Sequence, residues 1–179
     1  MMLEQIADEL YGVLQEKMLT CKVEAEEEIL IEGDPDKLAR VFDNILRNAI
    51  AYCREKSVLL IQAAKEENQV RICFENEGDT IPEESLKRIF DKFYRADASR
   101  SSSTGGAGLG LAIAKEIVEL HKGQIIAESS GGKTRFIVPL PLKGGVESNE
   151  IHTHSGHSSG GRAGRRKFLH RKAAGRTVE

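Results

Sequence analysis

The residues best suited to chemistry in this chain lie in Gly105-Gly106-Ala107-Gly108-Leu109-Gly110-Leu111, which runs directly into Ala112-Ile113-Ala114-Lys115-Glu116-Ile117-Val118. Four glycines within six residues leave the backbone free of side chains. The apolar residues that follow have helical spacing, with Leu109, Ile113 and Ile117 on one face. A glycine-rich loop opening a helix gathers unpaired N–H groups at the positive end of the helix dipole, which suits a phosphate chain. Similar loops also occur as plain turns, so this segment needs partners elsewhere.

Asn44 and Asn48 are four residues apart on a second helical stretch and share one face beside the apolar line Val41, Ile45 and Ala49. Buried amides are costly without partners, and an amide oxygen is a hard ligand suited to Mg²⁺. Helical asparagines are also common and solvated. Asn76 closes the strand-like run Val70–Glu75 and is followed by Gly78. There it can read a planar base edge that the backbone must approach closely, or serve as an ordinary turn residue.

The elements that must position these groups are legible from periodicity. A helix is expected over 3–18, and short β-like pieces near 21–23 and 29–31. Gly33-Asp34-Pro35 starts a helix over 35–52, with Asp34 as cap and Pro35 in the first turn. Strands are expected over 58–63 and 70–74 about a turn at 66–69, then a short helix over 83–90 and a polar loop over 96–104. The glycine-opened helix and strands near 124–128 and 135–139 complete the pattern. Helices alternate in blocks with hairpins, predicting an α/β fold: a two-layer α/β sandwich with a mixed, mostly antiparallel sheet packed on helices.

The 179 residues carry a net charge of -2 that conceals an asymmetry. The segment from Lys143 onward holds eight basic and three acidic residues, leaving 18 basic and 25 acidic residues before it. An acidic body is expected over 1–142. A disordered basic tail, rich in Gly, Ser, His and Arg, is expected over 143–179. No nucleic acid is expected as a partner. Nothing in the chain is apolar for long enough to cross a membrane, and there is no secretory signal at its start. Cys21, Cys53 and Cys73 lie in apolar segments without zinc or CxxC spacing, as buried free thiols in a reducing compartment do.

Taken in order, these motifs carry a resemblance. The Asn-x-x-x-Asn helix, the strand-end Asn76-x-Gly78, Phe90-Asp91-Lys92-Phe93-Tyr94-Arg95 and the Gly-x-Gly-Leu-Gly-Leu helix start resemble the ATP-binding catalytic domain of bacterial sensor histidine kinases, of the Bergerat or GHKL fold. The likeness covers about 3–142. Through Asp36-Lys37-Leu38-Ala39-Arg40-Val41-Phe42 and the glycine segment it looks most like the vancomycin-resistance sensor kinases. The resemblance implies ATP and Mg²⁺ as cofactors, with Asn48 as metal ligand and Asn44 beside it on the metal–phosphate cluster. It assigns Asn76 to the adenine and Gly106, Gly108 and Gly110 to the phosphates, with Tyr52, Gly78, Ile81 and Leu109 also in the nucleotide site. Phe90, Phe93 and Tyr94 would anchor a lid over about 95–104, and Arg95 or Arg100 would reach the γ-phosphate.

Three departures stand out: Asn76 where the family usually has Asp, Thr80 in place of a second glycine, and Ala51 where a Lys is often found. Losing a charged acceptor weakens the base contact by about 1 kcal/mol; with the other two departures, a modest dissociation constant of ~10 μM to 1 mM is expected. Related ATPases place a water-activating Glu where this chain has Asn44, so very slow hydrolysis is expected. The family's phosphoacceptor histidine sits on a separate helical dimerisation domain. The one histidine before the tail, His121, sits at a helix end and suits capping. The expected function is therefore to bind Mg-ATP and donate its γ-phosphate to a histidine of that separate domain. The protein would serve a response regulator through the full-length kinase, in the cytoplasm below a membrane-bound sensor, with the isolated domain monomeric. The alternative is a nucleotide-binding regulatory or docking module without catalysis.

Overall fold

The computed structural model describes residues 2–95, 108–142 and 176–178. Its elements are α1 (Met2–Glu9), α2 (Tyr11–Glu16), β1 (Thr20–Ala25), α3 (Pro35–Tyr52), β2 (Val58–Glu66), β3 (Gln69–Glu77), α4 (Glu83–Leu86), α5 (Gly110–Leu120), β4 (Ile126–Ser130), β5 (Lys133–Pro141) and β6 (Arg176–Val178). One sheet runs in the order β4-β5-β3-β2-β1-β6, and only the β1–β2 pairing is parallel. Helices pack on one face, giving the expected two-layer α/β sandwich of mixed, mostly antiparallel sheet.

Alternation explains the layering. On β3, Val70, Ile72 and Phe74 face the helices, and on β5 Phe136, Val138 and Leu140 do the same. The stripe Leu38, Val41, Phe42, Ile45, Leu46 and Ala49 of α3 closes over them. Phe42 meets Phe74 with ring centroids 6.0 Å apart, a tilted pair that ties α3 to the central strand. The start of α3 follows the sequence: the Asp34 carboxylate accepts from the Asp36 and Lys37 N–H groups at 3.0 and 3.2 Å.

Three expectations are revised. The first helix is interrupted at Leu10, two residues before Gly12, a poor helix former. The helix after Pro82 ends at Leu86 and continues as turns, the Asp91 N–H bonding the Arg88 carbonyl at 2.8 Å. Within the segment expected to be a structureless tail, Arg176–Val178 pairs antiparallel with Cys21–Val23. The reason is the free edge of β1, whose unpaired backbone groups accept another strand. The remainder of that segment, 143–175, lies outside the described residues.

The opposite face of the sheet carries charge. Glu75 accepts from Lys133 Nζ at 2.6 Å and from Arg135 Nε at 2.5 Å, and the Lys133 bond foremost holds its carboxyl below the usual range. A depressed carboxyl stabilises above its unfolded pKa and stops doing so as pH falls through its folded value. Glu75→Gln should therefore lower stability at pH 7 by up to about 1 kcal/mol, since the partners are solvent-exposed. Denaturant titration at pH 7 and near pH 3 should show that difference disappear in acid; a penalty independent of pH would rule out the ionic origin.

Cys21, Cys53 and Cys73 are free and buried, as expected. Burial, then Asp8 and Cys53, pushes the Cys21 thiol up to about 12, so it is packing material rather than a nucleophile.

Candidate functional site

Two asparagine-bearing elements, α3 and β3, converge with the start of α5. Asn44, Asn48 and Tyr52 recur every fourth residue of α3 and line one face of it. At the rise of ~1.5 Å per residue, that line is about 12 Å long. At one end α5 begins: a Cβ on Gly110 would stand 3.3 Å from Asn44 Oδ1, so glycine lets the helix start close against α3. At the other end β3 finishes: a Cβ on Gly78 would stand within overlap distance of the Tyr52 carbonyl oxygen. The Arg54 N–H bonds the Glu77 carbonyl at 2.7 Å and the Gly78 N–H bonds Gly132 at 2.9 Å, fixing that corner. Lys17 adds to it by donating to the Ile50 and Ala51 carbonyls, both at 2.8 Å, at the C-terminal end of α3. Gly78→Ala should destabilise the protein by about 1–3 kcal/mol through this overlap. An unchanged Tm would show that the Tyr52 carbonyl can move aside.

Two polar atoms at this site, one on α3 and one on β3, are buried without a hydrogen-bond partner among the described residues: Asn44 Nδ2 and Asn76 Oδ1. Asn76 is 1% exposed, and such orphans are rare unless something else satisfies them. One is a donor beside the start of α5, and the other an acceptor at the end of β3. Asn48, between them, is half-buried.

The residues around Asn76 include two that periodicity alone did not single out. Thr134 is its register partner on β5, shares its face and is 4% exposed. The Thr134 and Ser129 hydroxyls are 3.0 Å apart, and Ser129 Oγ accepts from the Ile81 N–H at 2.9 Å. Thr80 Oγ1 accepts from the Gly132 N–H at 3.1 Å, so the residue replacing a glycine binds the β4–β5 turn. A signal for Thr134 existed: it shares the β5 alternation of Phe136 and Val138, where a polar residue is out of place.

The expected lid beyond Arg95 lies outside the described residues, but the segment that leads to it, Phe90–Arg95, is described. Phe90 is half-buried against the core, but Phe93 is 72% exposed. The backbone makes the closure instead: the Phe93 N–H donates to the Gly108 carbonyl at 3.0 Å. Gly108 has φ +70°, and a Cβ there would stand 3.0 Å from both the Phe93 carbonyl carbon and the Tyr94 oxygen. The Arg88 guanidinium lies 4.6 Å from the Tyr94 ring centroid, and Lys92 pairs with Glu116 of α5 at 2.7 Å. These contacts hold the two ends of the 95–108 segment together. Leu109 and Gly110 open α5, and Arg95 ends the described part of the preceding segment. Gly106 and Arg100 lie outside the described residues.

His121 is committed to the scaffold. Its Nδ1–H donates to the Ile117 carbonyl at 2.7 Å, and its Nε2 accepts from the Asp34 N–H at 3.1 Å. The ring thus joins the end of α5 to the cap of α3. Gly33 makes room, since a Cβ there would stand 2.6 Å from the ring.

Residues 33–144 match the family described as "Histidine kinase-, DNA gyrase B-, and HSP90-like ATPase". The chain is 52% identical over 140 residues to the sensor protein VanS of Enterococcus faecium, covering 78% of this chain and 36% of that protein. It is 45% identical over 141 residues to the sensor protein VanSC of Enterococcus gallinarum, covering 79% and 39%. The chain thus spans less than two fifths of the length of these relatives. Among solved structures, the catalytic domain of histidine kinase ThkA superposes with a TM-score of 0.68 at 27% identity, covering 78% of this chain and 90% of that one.

Proposed function

Because the chain belongs to the histidine kinase-, DNA gyrase B- and HSP90-like ATPase family, we propose that it binds Mg-ATP and presents the γ-phosphate to a histidine of a separate dimerisation domain. The supporting observation is the Asn44–Asn48–Tyr52 line of α3, with an orphaned donor at one end and an orphaned acceptor at the other. In this reading the purine sits at Asn76, Gly78, Ile81 and Thr134. The triphosphate runs along α3 toward Gly108, Leu109 and Gly110, and Arg95 contributes positive charge. Asn44 Nδ2 donates to a phosphate oxygen, and Asn48 supplies an amide oxygen to the metal. Bound Mg²⁺ would neutralise phosphate charge as the bond to the leaving group lengthens.

The protein's own contribution is orientation and exclusion of water rather than acid–base chemistry. Asn44 cannot act as a base toward water, and both ring nitrogens of His121, the one histidine among the described residues, are engaged; in this reading the attacking imidazole comes from another domain. The isolated domain is then a monomeric, cytoplasmic part of a two-component sensor kinase. Its output is a response regulator, and the named relatives fit a role in antibiotic resistance.

Mixing the chain with the dimerisation domain of its own kinase and γ-labelled ATP should yield acid-labile phosphohistidine on that domain, while hydrolysis by the chain alone stays far below 1 s⁻¹. Binding of ATP without transfer in that mixture would favour a regulatory or docking module without catalysis, a reading motivated by Asn76, Thr80 and Ala51.

A further inference from the structure

The proposed base site contains two hydrogen-bonding groups that face the purine edge, and neither has a fixed polarity. Asn76 carries an acceptor, Oδ1, and a donor, Nδ2, on one rotatable amide. Its Oδ1 is buried without a partner among the described residues, while its Nδ2 lies on the side of Gly78, 3.6 Å from where a Cβ there would stand. A half-turn of χ2 exchanges the two atoms, and no hydrogen bond from the described residues holds the oxygen in its place. Beside it, the Thr134 and Ser129 hydroxyls are 3.0 Å apart and either can donate to the other. Ser129 already accepts from the Ile81 N–H. When Ser129 donates to Thr134, the Thr134 hydrogen is free to point outward; when Thr134 donates to Ser129, a Thr134 lone pair faces outward instead.

An adenine edge presents an amino donor at position 6 and an acceptor at N1. A 6-oxopurine presents the inverse, an acceptor at position 6 and an N1–H donor. A carboxylate in place of Asn76 accepts only, so it pairs with the amino group and repels the oxo group. An amide and a hydroxyl can both invert together at little cost.

Resting on the nucleotide-binding reading above, we propose that Asn76 and Thr134 form a purine site of reversible polarity that accepts 6-oxopurine nucleotides as well as adenine nucleotides. The substrate class is then purine nucleoside triphosphates in general, with discrimination set by the 6-position weak.

The test is calorimetric titration of the full chain with Mg-ADP and, separately, Mg-IDP, which differ at the 6-position and N1 of the base and lack the complicating 2-amino group of guanine. The expected result is affinities within about tenfold of each other, a difference of up to ~1.4 kcal/mol. Asn76→Asp should widen the ratio at least a further tenfold in favour of ADP, because the 6-oxo group then faces a group with no donor. ADP binding with IDP weaker by more than tenfold overturns the proposal while leaving the nucleotide site intact. An unchanged ratio in a folded Asn76→Asp protein also overturns it. Failure of both nucleotides to bind at millimolar concentration sinks the nucleotide reading itself. Should the buried carboxylate prevent folding of the variant, checked by its thermal transition, the wild-type ratio decides alone.

Discussion

Phe74→Ala is expected to lower the stability of the protein by about 3–5 kcal/mol, the range for emptying the site of a fully buried aromatic ring. The ring is 0% exposed at the middle of β3, the strand hydrogen-bonded to both β2 and β5. It fills the layer between the sheet and α3 and meets Phe42. Removing it leaves a cavity that its register partners Ile61 and Phe136, themselves buried, can close only by moving the helix. Because Asn76 lies two residues along the same face of β3 and Asn48 lies on α3, that movement should also disturb the site. Thermal unfolding followed by circular dichroism should show a Tm lower by roughly 10 °C. A loss below 1 kcal/mol would mean that α3 settles onto the sheet without strain, and that the site does not depend on this contact.

The second large effect concerns Asn48. Asn48→Ala should weaken magnesium-dependent nucleotide binding about 100-fold, or ~2.7 kcal/mol, while leaving Tm nearly unchanged. The side chain is half-buried and lies outside the buried stripe of α3, so its removal leaves the core intact. Binding is then compared by calorimetry with Mg²⁺ and with EDTA. In the variant the two affinities should converge, because a methyl group offers no ligand to the metal. Asn44→Ala gives a contrasting pattern: it removes an orphaned buried donor, so Tm should hold or rise while phosphate-dependent affinity falls. If Asn48→Ala kept its full magnesium dependence, the metal would have to be held elsewhere and the assignment of the α3 face would fail.

Much of this architecture was readable from residue order. The bounds of α3 follow from Asp34 and Pro35 at its start and a continuous apolar stripe to Ala49. β2 and β3 follow from alternation about a short polar turn. Where local signals are weak, residue order does not reveal the structure. The first helix breaks at Leu10 although its apolar spacing continues, because Gly12 lowers local helical preference. The turns after Leu86 carry no capping residue or glycine to mark them. β6 rests on pairing between positions more than 150 residues apart, which no local pattern encodes.

The site divides in the same way. The order of Asn44, Asn48, Asn76, Gly78 and the glycine-opened helix is a property of the sequence, and it suffices to identify the family. What each group faces is not. That Asn44 Nδ2 and Asn76 Oδ1 are orphaned, that Thr134 stands opposite Asn76, and that the backbone of Phe93 closes on Gly108 are consequences of strand register and helix packing. The physical reason is range: caps, turns and amphipathic stripes act within a few residues, so sequence determines them directly. The burial and pairing of a polar atom depend on segments that meet only when the sheet is assembled.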